Sequence, residues 1–173
     1  MTGLLQPPPS ADDHALGRPD APCVLTMYAD FECPFCLAAQ SIVARVRKRL
    51  GDELLLVFRH FPLDAVHPLA SGAARAVEAA DAQGAFWPMH DALFDLRGDL
   101  ARPGMSRAAK AVGLDRARFE ADLDAGRGDT RIAADLLSGE RSGVTGTPAF
   151  FANGARVDGA FDASSLVGAL RGR

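Results

Sequence analysis

Asp30-Phe31-Glu32-Cys33-Pro34-Phe35-Cys36 decides the fold through what stands on either side of it. Before it, Cys23-Val24-Leu25-Thr26-Met27-Tyr28-Ala29 is an almost continuous apolar run with β-branched and aromatic members, the pattern of a short strand buried on both faces. After it, Leu37, Ile42, Val43, Val46 and Leu50 recur at helical spacing, with Arg45, Arg47, Lys48 and Arg49 largely between them. A helix is therefore expected over Pro34–Leu50, ended by Gly51. Leu54-Leu55-Leu56-Val57-Phe58-Arg59-His60 reads as a second buried strand, and a crossover of that length makes the two strands parallel neighbours.

Further out the character changes. Residues 69–142 are rich in Ala, Leu, Asp and Arg, and Gly84, Gly98, Pro103-Gly104, Gly113 and Gly126 cut them into several short helices. Strand character returns at Ala149-Phe150-Phe151-Ala152; Asn153-Gly154 is a hairpin turn, Ala155-Arg156-Val157-Asp158 the return strand, and residues 164–170 a closing helix. The layout implies one α/β domain with a helical insertion: 21–62 and 143–173 form the main body and 63–142 the insertion. Residues 1–20 read as a polar, Pro-rich lead-in, with Leu16 its strong candidate for docking.

The 173 residues suffice for one domain; 48% hydrophobic and 24% charged residues exclude a disordered chain. Net charge is −3, and no dense basic stretch carries interleaved aromatics, so neither nucleic acid nor an anionic membrane is expected as partner. Arg45-Val46-Arg47-Lys48-Arg49 reads as a solvated helix face. Met1 to Ser10 shows no basic or apolar leader pattern, so the expectation is a cytoplasmic chain with no membrane span. Three cysteines do not make a secreted disulfide scaffold; an isolated Cys-x-x-Cys points to redox or metal chemistry.

The strand-to-helix context places Cys33 at a helix N-terminus, where unpaired N–H groups and the positive end of the dipole stabilise a thiolate. Pro34 falls near the first helical position, which tolerates a missing N–H. Cys36 follows almost one turn later, close enough to close a small ring. Cys33 is then the exposed nucleophile and Cys36 the buried resolving thiol. Two buried small hydrophobes, or half of a zinc site, are the alternatives at this spacing. Gly143-Val144-Thr145-Gly146-Thr147-Pro148-Ala149 puts a proline at a strand start; it is either an ordinary trans turn or a cis bond beside an extended substrate.

Asp12-Asp13-His14-Ala15-Leu16-Gly17, Asp20-Ala21-Pro22, the cysteine motif, Phe86-Trp87 with His90-Asp91, and Gly143-Val144-Thr145-Gly146-Thr147-Pro148 stand in one order from about residue 12 onward. Together they resemble the DsbA-like branch of the thioredoxin superfamily. The resemblance implies a thioredoxin fold, a central mixed sheet flanked by helices, with an inserted α-helical domain. It implies catalysis by Cys33 and Cys36, a cis Pro148 facing them, and Thr147 contacting substrate through its backbone; Pro34 and Phe35 complete the expected substrate-binding set. The expected activity is disulfide exchange with protein substrates, and the expected partners are those dithiol or disulfide proteins and a redox recycling partner. No cofactor beyond the Cys33–Cys36 disulfide and no metal is expected, and the chain is read as a monomer or weak homodimer. Alternatives are a reductase or transferase for small thiols such as glutathione, a metal-binding module, and a partner-binding domain without turnover.

The sequence departs from that pattern at Met27, where many relatives carry a buried acidic residue. Asp30 and Glu32 flank Cys33 and are expected to raise its pKa, and Phe35 leaves no imidazole inside the motif; both features argue against a strongly oxidising pair. Cys23 starts the strand that delivers Cys33 at its other end, roughly 20 Å away and beyond the ~7 Å reach of a disulfide, so it reads as a core thiol. His60, His67 and His90 are possible ligands or acid–base groups that more often serve packing; Phe86, Trp87 and Phe94 read as helical core.

Overall fold

The computed structural model describes residues 3–159 and 161–172. In chain order the elements are β1 (His14–Leu16), β2 (Cys23–Ala29), α1 (Pro34–Leu50), a 3-10 turn (Gly51–Glu53), β3 (Leu54–His60), α2 (Ala70–Asp81), α3 (Phe86–Asp95), α4 (Arg102–Ala111), α5 (Arg116–Asp124), α6 (Asp129–Arg141), β4 (Ala149–Ala152), β5 (Ala155–Val157) and α7 (Ala163–Leu170). The sheet order is β1-β3-β2-β4-β5. β2 and β3 are parallel, in register from Cys23↔Leu54 to Ala29↔His60, while β4 runs antiparallel along the other side of β2. This mixed sheet, flanked by helices, is a thioredoxin fold, and β2 is its central strand.

Alternation along the strands divides the core in two. Leu25, Met27 and Ala29 of β2 join Phe58, Phe150, Val43, Val46 and Leu166 on one face, whereas Tyr28 joins Leu5, Phe61, Val144 and Phe151 on the other. Burying each large apolar side chain contributes roughly 1.5–3 kcal/mol. Asn153 (φ 49°) and Gly154 (φ 83°) form the left-handed hairpin turn between β4 and β5. The Asn153 side chain also accepts from Val24 N at 2.8 Å and donates to Leu170 O at 2.8 Å, stapling the start of β2 to the end of α7.

Several local expectations need correction. The N-terminal lead-in docks through Leu16, which packs against the core, and through more than that: β1 pairs antiparallel with β3, Leu5 is buried, and Leu4 bridges to Ala155. Its further anchor is polar. Buried Arg59 collects the Asp13 carboxylate and the Pro7 carbonyl, because a desolvated guanidinium needs its donors satisfied. Pro103-Gly104 does not separate helices; it lies in the first turn of α4, where proline is well placed. The return strand β5 ends at Val157, and α7 starts at Ala163 behind a capping box of Asp162 and Ser165.

Candidate active site

β2 ends at Ala29, a short turn follows, and Cys33 becomes the N-cap of α1 in extended conformation with Pro34 inside the first turn. The turn is closed by Cys33 N donating to Asp30 O at 3.2 Å. Cys36, fully buried one turn in, accepts at its sulfur from Asp30 N at 3.5 Å. All three cysteines are free thiols. Pairing of Tyr28 with Ala149 brings the loop before β4 against this turn, so Cys33 Sγ donates to Thr147 O at 3.4 Å. The Thr147–Pro148 peptide is cis. The Thr147 hydroxyl oxygen is buried without a hydrogen-bond partner, beside the two sulfurs and poised to donate to a thiolate.

The two sulfurs occupy opposite electrostatic environments. The Cys33 thiol is lowered to about 5, first by its hydrogen bond with Cys36 and then, against the cost of burial, by Thr147 and the Cys36 and Phe35 backbone N–H groups. Cys36 is pushed strongly upward, first by burial and then by the same Cys33 contact. The net shift of Cys33 is downward even with Asp30 and Glu32 flanking it. Both carboxylates are taken up elsewhere: Asp30 accepts from Glu32 N, Leu63 N and His67 Nδ1, and Glu32 from Leu69 N. Cys33 also differs from the expected exposed nucleophile, with 3% of its surface accessible, because the Thr147 loop lies over it. Its surroundings are open: Pro34 and Phe35 are exposed, and Gly146, Thr147 and Pro148 are half-buried.

Of the remaining residues singled out in the sequence, His67 reaches the site. Its Nδ1 lies 2.8 Å from the buried Asp30 carboxylate. Burial works against its protonation, but the Asp30 hydrogen bond and the charges of Asp30, Cys33 and Glu32 prevail and raise its pKa. His60 is elsewhere, sharing Glu78 Oε1 with His14 at 2.8 and 2.6 Å. These three offer ligand atoms within 4.8 Å of one another, a grouping that includes neither Cys33 nor Cys36, and the hydrogen bonds account for its geometry. His90 is buried among Phe31, Phe58 and Phe94, and burial lowers its pKa. Phe86 and Phe94 are core; Trp87 is half-buried and donates to Ala15 O at 3.1 Å. Cys23 is buried with its sulfur 3.7 Å from Leu170 O.

The role of Asp30 as the hub of this turn escapes sequence reasoning, since Leu63 and His67 come from a distant loop. The only signal available is a carboxylate three residues before a helix-capping cysteine.

Comparison with known proteins agrees with this architecture. A thioredoxin family model matches residues 10–171. The chain is 46% identical over 169 residues to the Na(+)/H(+) antiporter NhaA 1 of Mycolicibacterium vanbaalenii, covering 96% of this chain and 27% of that protein. It thus spans about a quarter of the length of such curated relatives. Among the described residues, no helix is long and apolar enough to cross a membrane. A thioredoxin-like oxidoreductase from Silicibacter pomeroyi superposes with a TM-score of 0.84 at 29% identity, over 94% of this chain and 92% of that one. The thiol-disulfide exchange protein α-DsbA2 of Wolbachia pipientis superposes with a TM-score of 0.83 at 18% identity, over 94% and 87%. The chain belongs to the thioredoxin family, and its fold is that of the DsbA-type proteins.

Proposed function

We propose that the chain is a thiol–disulfide oxidoreductase acting on protein substrates through Cys33 and Cys36. The observation that carries this reading is the asymmetry of the two sulfurs: one thiol lowered to about 5 at a helix N-terminus, its mate buried beside it and held protonated. Cys33 thiolate attacks a substrate disulfide, forming a mixed disulfide and releasing one substrate thiolate. Cys36 then loses its proton and attacks the Cys33 sulfur, which frees the second substrate thiol and leaves the Cys33–Cys36 disulfide. Two electrons pass from the pair to the substrate, and the oxidising direction is the reverse.

A polypeptide substrate suits the rim. Phe35 is 71% exposed within the cysteine motif, Val66 is 69% exposed on the loop whose Leu63 and His67 bond Asp30, and Leu69 N is held by Glu32, so apolar side chains are offered on the two segments that meet at the reactive turn. The names of the S. pomeroyi and W. pipientis structures point to the same chemistry. The test is insulin reduction and oxidation of a reduced model protein, with glutathione disulfide in parallel. Cys33→Ser is expected to lose both protein activities and Cys36→Ser to trap mixed disulfides; undiminished turnover by Cys33→Ser overturns the reading, and preference for glutathione disulfide moves it to small thiols.

A further inference from the structure

We propose that His67, held by the buried Asp30 carboxylate, is a positioning residue that places a positive charge against the turn carrying Cys33 and so favours the Cys33 thiolate. The inference rests on the oxidoreductase reading for its purpose, but its geometry is independent of any substrate.

Asp30 is bonded to both cysteines through its backbone, its carbonyl accepting from Cys33 N at 3.2 Å and its N–H reaching Cys36 Sγ at 3.5 Å. Its carboxylate has no solvent exposure and takes Glu32 N at 2.8 Å, Leu63 N at 2.9 Å and His67 Nδ1 at 2.8 Å. A carboxylate so enclosed calls for a counter-charge. Among the described residues, its salt-bridge partner is His67.

The imidazole is anchored on one nitrogen and 19% exposed at its side chain. The charged groups facing it from the β2–α1 turn are Asp30, Glu32 and Cys33, all of one sign when ionised. On its own loop Asp64 turns away to Ser71 at 2.6 Å, and Arg75 of α2 is engaged by Asp129 at 2.5 Å. The surroundings therefore favour imidazolium. Met27 is packed in the apolar core, and Phe35 supplies no charge from inside the motif. His67 thus provides from the β3–α2 loop a charge that neither position provides.

Coupling of this kind is reciprocal: whatever the imidazolium does for the thiolate, the thiolate does for the imidazolium. The first experiment needs no substitution. The imidazole of His67 is titrated by NMR in the reduced full chain and in the chain whose Cys33 is capped with a neutral alkylating group. An imidazole titration about one pH unit higher in the reduced chain is expected; equal titrations overturn the proposal.

The second experiment uses His67→Asn, which keeps a donor where Nδ1 stands but removes the charge, and His67→Lys, which restores one. In His67→Asn the ultraviolet titration of the Cys33 thiolate should move up by about one pH unit, and the equilibrium constant for reduction by glutathione should fall about tenfold. His67→Lys should return toward the wild-type values. A folded His67→Asn chain with unaltered Cys33 titration also overturns the proposal. These readouts are separate from insulin turnover, so a chain that fails on insulin yet shows the coupling refutes the proposed function and leaves the His67 assignment standing.

Discussion

The Arg59 guanidinium grips both oxygens of Asp13, Nε to Oδ1 at 2.8 Å and Nη2 to Oδ2 at 3.0 Å. Both side chains are nearly inaccessible, and Arg59 Nη1 also donates to Pro7 O, Tyr28 Oη and Ser138 Oγ. One cation thereby joins the N-terminal segment, β2 and α6. Asp13→Ala leaves that cation buried and without its carboxylate, which costs about 3–5 kcal/mol. Urea unfolding is expected to show a lower midpoint with unchanged slope, while the Cys33 titration stays in place.

Acid should act through the same buried carboxylates. Burial opposes ionisation of Asp13, yet Arg59, the Ser10 backbone N–H and Arg131 hold its pKa below the usual carboxylate value. At Glu78, hydrogen bonds from His14 and His60 overcome burial and hold it at about 2. A carboxyl depressed on folding stabilises the protein above its unfolded pKa, and that contribution is lost as pH falls through the folded pKa. Stability measured by urea unfolding should therefore decline from about pH 4.5 toward pH 2, and less steeply in Glu78→Gln, which starts from a lower plateau.

Alkylation separates the two thiols. The Cys33 rate with iodoacetamide should be half-maximal near pH 5, falling below it as the thiolate is protonated. Cys36 should remain unmodified across the neutral range, because burial raises its pKa and blocks access. Mass mapping of the labelled peptides checks both; equal labelling of the two cysteines near neutrality contradicts the asymmetry.

Thr147→Val tests the hydroxyl. Its oxygen has no partner in the thiol form and faces the sulfurs, so its removal deprives the thiolate of a donor. The Cys33 titration is expected to rise by about one pH unit, with a nearly unchanged melting temperature. Gly139→Ala makes the opposite pattern. A Cβ there would stand 2.6 Å from the Phe61 ring and 3.3 Å from Tyr28, and such overpacking typically costs 1–3 kcal/mol. A lower unfolding midpoint in urea is the readout.

The strand–helix–strand unit around Cys33 is legible in the sequence because each of its three elements carries its own period and its own stop, Gly51 included. Asn153-Gly154 is legible for the same local reason. What escapes is long-range polar pairing. Asp30 and His67 lie 37 residues apart and Arg59 and Asp13 lie 46 apart, and nothing in either partner's neighbourhood marks the other. Three-residue β1 gains its place from pairing with β3 rather than from a pattern of its own. The accessibility of Cys33 depends on Thr147, 114 residues later, so the motif that identifies the sulfur does not reveal what lies over it.

The Asn153 staple has a consequence for how the molecule presents itself. Leu170 O accepts from the Asn153 side chain and lies against Cys23 Sγ, so the end of α7 gathers at the β4–β5 hairpin, beside the start of β2. The reactive sulfur sits past the far end of that strand, roughly 20 Å along it. A segment continuing from α7 would therefore leave from the pole opposite the chemistry.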